Sequence, residues 1–172
     1  PEHFKWALDN GAQGVIVPMI RTIDDARRAV SAARYPPDGI RGVGVSRAHG
    51  YGGAFDDYVR TANDETMVML QIEHIDAVHG IEEICELPGV DVVFIGPYDL
   101  SGTMDLMGQV HHPDVESAVQ HVLDVALAHD VTPGLLIADP APGEIARRLA
   151  EGFRLISIGL DNLMLVNAAR AL

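Results

Sequence analysis

The chain has 172 residues, is 48% hydrophobic, and carries 25 acidic against 12 basic side chains for a formal charge of −13. That length suits one domain with a real core, no apolar run reaches the length of a membrane span, and the charge argues against nucleic acid or an anionic membrane as partner, since both need a positive footprint. Cys85 is the one cysteine, so no internal disulfide forms; with no basic-then-apolar leader pattern at the start, the expected location is the cytoplasm.

Residues 1–10 predict a helix, with Pro1 at a first helical position, Phe4, Ala7 and Leu8 on one face, and Gly11 just past the end. Gly14–Met19 predicts a short buried strand, and Thr22 with Asp24 and Asp25 predicts the capped start of a helix running to about Arg34. Tyr35–Gly39 is a turn by composition, 41–53 is a Gly-rich irregular loop of functional length, and a helix is expected over 55–63. The rhythm then becomes regular: strand 67–73, helix 75–86, strand 91–96, a long loop 97–113, helix 114–129, strand 134–138, helix 142–151, strand 154–159, and a last helix from Asn162. Apolar strands alternating with helices predict an α/β fold with a parallel sheet. Two architectures fit, a doubly wound open sheet or part of a (β/α) barrel. A whole barrel has eight strands and typically about 250 residues. The chain opens on a helix, so the strand that should precede it is expected upstream, and the 172 residues read as a single partial domain.

Two strands end in a carboxylate. Alternation along 67–73 puts Met67, Met69, Gln71 and Glu73 on one face, and Val68, Leu70 and Ile72 on the other. Glu73 can be a strand-end cap for the next helix or a metal ligand; Asp99, after Gly96-Pro97, can be an Asx-turn cap or a second ligand. Adjacent parallel strands bring their exits side by side, and two oxygen ligands there can hold an oxygen-loving cation with positions left for substrate. Other candidates read as structural. His74 should point away from Glu73, His111 and His112 belong to a loop and cap, His121 and His129 to a solvated helix face, and Arg47 to solvent. Cys85 shares a helix face with Val78 and Ile81 and reads as core. No dinucleotide fingerprint, phosphate loop or nucleophile elbow is present. An imine mechanism needs a lysine on an interior strand, whereas Lys5, the only lysine, lies on a predicted surface helix.

The ordered set Gly11-Ala12, Val17-Pro18-Met19, Arg34-Tyr35-Pro36-Pro37, Arg41-Gly42, Gln71-Ile72-Glu73, Gly89-Val90-Asp91, Gly96-Pro97-Tyr98-Asp99-Leu100-Ser101, His112-Pro113 and Pro133-Gly134 resembles the HpcH/HpaI family of metal-dependent pyruvate aldolases. The resemblance runs over essentially the whole chain. It implies a TIM (β/α)8 barrel of the phosphoenolpyruvate/pyruvate superfamily, of which this chain carries the last five strands. It also implies Mg2+, Mn2+ or Co2+ on Glu73 and Asp99, with Gln71 lining the site. By the same resemblance the backbone of Gly96, Pro97 and Tyr98 meets the pyruvate carboxylate, and Leu136 forms an apolar wall. Tyr98 replaces a small residue of some members. The family's proton-moving His and enolate-stabilising Arg are expected upstream, so no catalytic residue is assigned within this chain, and the chain alone is expected to be inactive. The implied activity is reversible cleavage of a 4-hydroxy-2-oxo acid to pyruvate and an aldehyde. Alternatives are a hydroxyacyl-CoA lyase of the same superfamily and a catalytically dead fragment. The resemblance further implies a homo-oligomer, a hexamer, with Asn162–Leu172 at an interface.

Overall fold

A computed structural model describes residues 1–170; Ala171 and Leu172, the end of the expected interface segment, lie outside the described residues. Five strands, β1 (Gly14–Ile20), β2 (Met67–Ile72), β3 (Val92–Ile95), β4 (Thr132–Ile137) and β5 (Leu155–Ile158), form one sheet in chain order. Every neighbouring pair is parallel. Helices α1 (Glu2–Asp9), α2 (Ile23–Ala33), α3 (Phe55–Glu65), α4 (Ile75–His79), α5 (Ile81–Cys85), α6 (Pro97–Thr103), α7 (Pro113–Ala128), α8 (Glu144–Glu151) and α9 (Asp161–Arg170) occupy the connections. Consecutive order without a reversal is the arc of a barrel rather than a doubly wound sheet, which has a switch point.

Side-chain alternation sets which face is buried. Val68, Leu70 and Ile72 are sealed against the helices, while Met67 is exposed and Met69 and Gln71 are half-buried on the concave face. The core joins these residues to Val93, Ile95, Leu135 and Ile137 and to Ala26, Val30, Ile81, Ile84, Val119, Val122 and Leu123 from the helices. All four residues of β3 are buried because its concave side is also covered. Phe94 lies over Gly134, its register partner, where an added Cβ would fall 2.6 Å from the ring. Gly134 therefore makes room for an aromatic side chain inside the arc.

Local chemistry explains the helix boundaries. Thr22 Oγ1 accepts from the Asp25 amide at 3.2 Å and Asp25 accepts from the Thr22 amide at 2.9 Å, a reciprocal cap. His74 and His112 cap α4 and α7 through Nδ1, accepting from the amides of Asp76 and Asp114. The helix expected over 75–86 is broken at Gly80 into α4 and α5. The loop expected over 97–113 begins instead as α6, with Pro97 in its first turn. Ser101, fully buried, donates to the Tyr98 carbonyl at 2.6 Å and accepts from the Gly108 amide at 3.0 Å, tying the following loop to that helix.

The N-terminal rim of the strands is held by arginines. Arg34 reaches the carbonyls of Asn63, Thr66 and Gly89 and pairs with Asp91, whose carboxylate accepts from the Val68 amide at 2.7 Å. Arg41, with its side chain fully buried, bonds Asp9 at 2.8 Å and stacks 4.4 Å from the Tyr35 ring centre. Burial disfavours the Asp9 carboxylate, but hydrogen bonds and charge from Lys5 and Arg41 outweigh it and hold its pKa below the ordinary 3.8. Stability from this pairing is complete above that ordinary value and is lost as pH falls through the depressed one. Asp9→Asn, which leaves Arg41 buried without its counter-charge, should cost on the order of 3 kcal/mol at neutral pH. Urea unfolding should show the difference from the parent protein narrowing as pH falls below the ordinary aspartate range.

Candidate metal and substrate site

The register places the expected site residues on one rim. Ile72 pairs with Ile95, and Ile95 with Leu135, so Glu73, Gly96 and Leu136 are the next residues out at the carboxyl ends of three adjacent strands. This is the end at which ligands bind in parallel α/β folds. Gln71 sits one pleat below on the same concave face as Glu73.

Glu73 is the centre of the arrangement. It is 4% exposed. Its Oε2 accepts from Gln71 Nε2 at 2.7 Å and its Oε1 from the Met19 backbone amide at 2.7 Å. Burial raises its pKa; the Met19 amide works against that rise, and the negative charge of Asp99 adds to it. Gly96 closes over this carboxylate: a Cβ there would lie 3.0 Å from Gln71 Nε2 and 3.0 Å from Glu73 Oε2. The backbone can approach that closely only because the side chain is absent.

Charge balance separates Glu73 from the other buried ionic groups. Arg34, Arg41 and Arg148 are buried too, and each has a carboxylate partner: Asp91, Asp9 and Glu116. Among the described residues Glu73 is the buried acid, and no Lys, Arg or His pairs with it. Its nearest charged influence is a second acid. A buried carboxylate in that position calls for a cation. Gln71, Met19 and Gly96 supply neutral contacts that leave the charge in place, so these residues fit a divalent ion. Among the described residues no group of three or more His, Cys, Asp and Glu side chains surrounds one point. Two carboxylates are a partial coordination sphere, of the kind that leaves positions for water and substrate.

The remaining expected residues lie beside this centre. Pro97 is buried at the start of α6, and Tyr98 and Asp99 are exposed in its first turn. Leu100 N–H donates to the Gly96 carbonyl at 3.1 Å, the first helical bond, so the amides of Tyr98 and Asp99 come before it. Pro97, Tyr98 and Leu136 line a small crevice of about 50 Å³ together with His111, Asp139 and Arg148. Glu73 and Asp99 do not line it, so the expected residues fall into a carboxylate centre at β2–β3 and a neighbouring wall at β3–β4. Lys5 pairs with Asp9 on α1, away from any strand. Burial pushes the Cys85 thiol up to about 11, which leaves it unreactive at neutral pH. Met19 escaped the reading of the sequence. Its signal was Pro18, because proline within a strand marks an edge or a bulge.

The sequence profile of the HpcH/HpaI aldolase/citrate lyase family matches residues 2–168. The chain belongs to this family. It is 41% identical over 175 aligned positions to the 4-hydroxy-2-oxo-heptane-1,7-dioate aldolase of Shigella flexneri, a match spanning 100% of the chain and 64% of that protein. It superposes on an HpcH/HpaI aldolase/citrate lyase family protein from Burkholderia cenocepacia J2315 with a TM-score of 0.90 at 38% identity, covering 97% of this chain and 66% of the other. An HpcH/HpaI aldolase from Desulfitobacterium hafniense gives 0.91 at 32% identity, covering 99% and 66%. The chain thus spans just under two thirds of the curated relatives' length, and the five-stranded arc is a section of the barrel these proteins share.

The raised pKa of Glu73 has a thermodynamic consequence. In metal-free protein this carboxyl binds its proton more tightly folded than unfolded, so its contribution to stability is greatest below the ordinary glutamate range and falls as pH rises through the raised pKa. Glu73→Gln keeps the shape and can satisfy both hydrogen bonds once the Gln71 amide turns over. The metal-free variant should therefore lack this loss and match or exceed the parent protein's stability at pH 7 in thermal melts.

Proposed function

We propose that Glu73 and Asp99 hold a divalent cation, Mg2+, Mn2+ or Co2+, in a metal-dependent aldolase that reversibly cleaves a 4-hydroxy-2-oxo acid to pyruvate and an aldehyde. The observation that carries this reading is the buried carboxylate of Glu73, which no basic side chain among the described residues pairs with and on which the negative charge of Asp99 acts. The names of the aligned aldolases support the reaction class. When bound, the cation supplies Lewis acidity toward the carboxylate and 2-keto oxygens of the substrate, lowering the cost of the negative charge left on pyruvate as the C3–C4 bond breaks.

The chain's own residues bind and orient. Gln71 and the Met19 amide each take one lone pair of Glu73 and leave another on each oxygen for the cation. Gly96, Pro97 and Tyr98 present backbone to the substrate carboxylate, with the Tyr98 and Asp99 amides unclaimed by the first helical bond. Leu136 forms the apolar wall toward the aldehyde portion. Tyr98, 47% exposed, lines the same crevice as Leu136 and narrows it. The group that takes the 4-hydroxyl proton and the arginine side chain that steadies the enolate are proposed to lie outside these 172 residues.

The same proposal extends to architecture. The 172 residues are one part of a single barrel domain, because β1 and β5 are the outer strands of the described sheet and Ile16 and Met67 stand open on its concave side. Subunit association, expected as a hexamer, is supported by α9, which buries no residue and exposes Met164, Leu165 and Val166. A monomeric mass in solution would remove that part of the proposal. No helix among the described residues is long and apolar enough to cross a membrane.

The test is pyruvate release from 4-hydroxy-2-oxo acids by the intact protein. Activity should disappear with EDTA and return with Mg2+, Mn2+ or Co2+. Glu73→Gln and Asp99→Asn should each lower kcat/KM on the order of 10²–10³-fold. Full activity in EDTA, or in Glu73→Gln, would sink the mechanism.

A further inference from the structure

The carboxyl end of β1 departs from its strand in a way that the sheet does not require. Val17 pairs with Leu70, yet Ile20 pairs with Ile72, so β1 spends one residue more than β2 over the same stretch. This is a β-bulge, and it contains Pro18 and Met19. Pro18 has no amide to give the ladder. Met19 has φ of 58°, the left-handed region that a residue with a Cβ rarely enters. In the bulge type that puts a residue in this region, glycine is the usual occupant. Here a methionine holds the strained conformation, and the result is that its N–H leaves the ladder and meets Glu73 Oε1 at 2.7 Å. Strained backbone persists only where the surrounding structure over-determines it, and such points cluster at functional sites.

We infer that the Pro18–Met19 bulge is a positioning device for the Glu73 carboxylate, in which the Met19 backbone amide fixes Oε1 in the orientation that binds the divalent cation. Gln71 is the matching side-chain donor on Oε2. The two donors come from different strands and grip opposite oxygens, so the carboxylate plane is set by the β1–β2 pair before any cation arrives. Losing a hydrogen-bond partner of a metal-ligating group typically weakens metal affinity about 10–100-fold. Met19 acts through Glu73 and touches no reacting atom. The inference rests on the metal reading of Glu73.

The experiment removes the Met19 hydrogen-bond donor while keeping its side chain. Replacing Met19 in the intact protein with its α-hydroxy acid analogue turns the Pro18–Met19 amide into an ester and deletes the N–H. Mn2+ affinity is then read from the electron paramagnetic resonance signal of free Mn2+, with a metal-free thermal melt to show that the fold is kept. The ester should raise the Mn2+ Kd about tenfold or more, whereas Met19→Leu, which retains the amide, should keep the parent affinity. Glu73→Gln separates the two ideas. If it abolishes Mn2+ binding while the ester binds as the parent does, the positioning role is overturned and the metal reading stands. If Glu73→Gln binds Mn2+ normally, the metal reading falls and this inference falls with it. Should the ester protein fail to fold, 15N-methionine labelling gives a second readout. The protein has six methionines, and Met19→Leu identifies the Met19 amide by its missing signal. That signal should move the most on Mg2+ addition, and a Met19 amide that does not respond would overturn the inference.

Discussion

A buried carboxylate with no basic side chain paired to it among the described residues is the constraint around which the rim of this sheet is arranged. Glu73 is sealed from solvent, and its approaches are a backbone amide, a glutamine, a glycine and another acid. Hydrogen bonds from neutral donors soften the desolvation of a carboxylate but do not cancel its charge. The same protein shows what balance looks like elsewhere, since its buried arginines are each given an acid. The imbalance at Glu73 is therefore local and built by the strands themselves. It stands at the carboxyl end of a parallel sheet, where chemistry can use it.

The motifs that identify the family divide between the two ends of the strands. Arg34, Arg41 and Asp91 work at the amino end, where they tie α2, α3 and the starts of β2 and β3 together through backbone carbonyls and ion pairs. Gln71, Glu73, Gly96 and Asp99 gather at the carboxyl end. Read as a string the motifs look equivalent; in space one group carries stability and the other the candidate chemistry. Ser101, in the same run as Asp99, belongs to the first kind: its hydroxyl pins the loop after α6 through the Tyr98 carbonyl and the Gly108 amide.

Most of the scaffold was legible because periodicity and burial agree. The alternation of Met67–Glu73 predicted which side chains seal the core, and Thr22 with Asp25 predicted a cap that forms as a reciprocal pair. What escaped depends on long-range contacts. Pro97–Thr103 reads as a loop, since Gly96-Pro97 ends a strand and Gly102 weakens a helix, yet Ser101 and the buried Leu100 hold one turn after another in place. The break at Gly80 was hidden by apolar residues that continue in phase on both sides. At the site, strand spacing led to the expectation of Glu73 and Asp99 at neighbouring strand exits, where the charge of Asp99 does act on Glu73, but the grip on Glu73 was not visible in it. A backbone amide carries no letter in a sequence.

Leaving just two carboxylates at the centre is chemically coherent with that grip. A cation enclosed by protein oxygens has no position left for a 2-oxo acid, whereas one held by two anions still has room for a bidentate ligand. So open a sphere places the burden of geometry on few atoms, and each must be fixed from behind. Gln71 is fixed by its place in β2, Gly96 by the short β3 that ends beneath it, and the Met19 amide by a bulge that an ordinary strand would not contain. The irregular point of the sheet and the unbalanced charge thus meet at one oxygen pair. The regular strands form the floor, and the bulged Met19 turns its amide onto the Glu73 carboxylate.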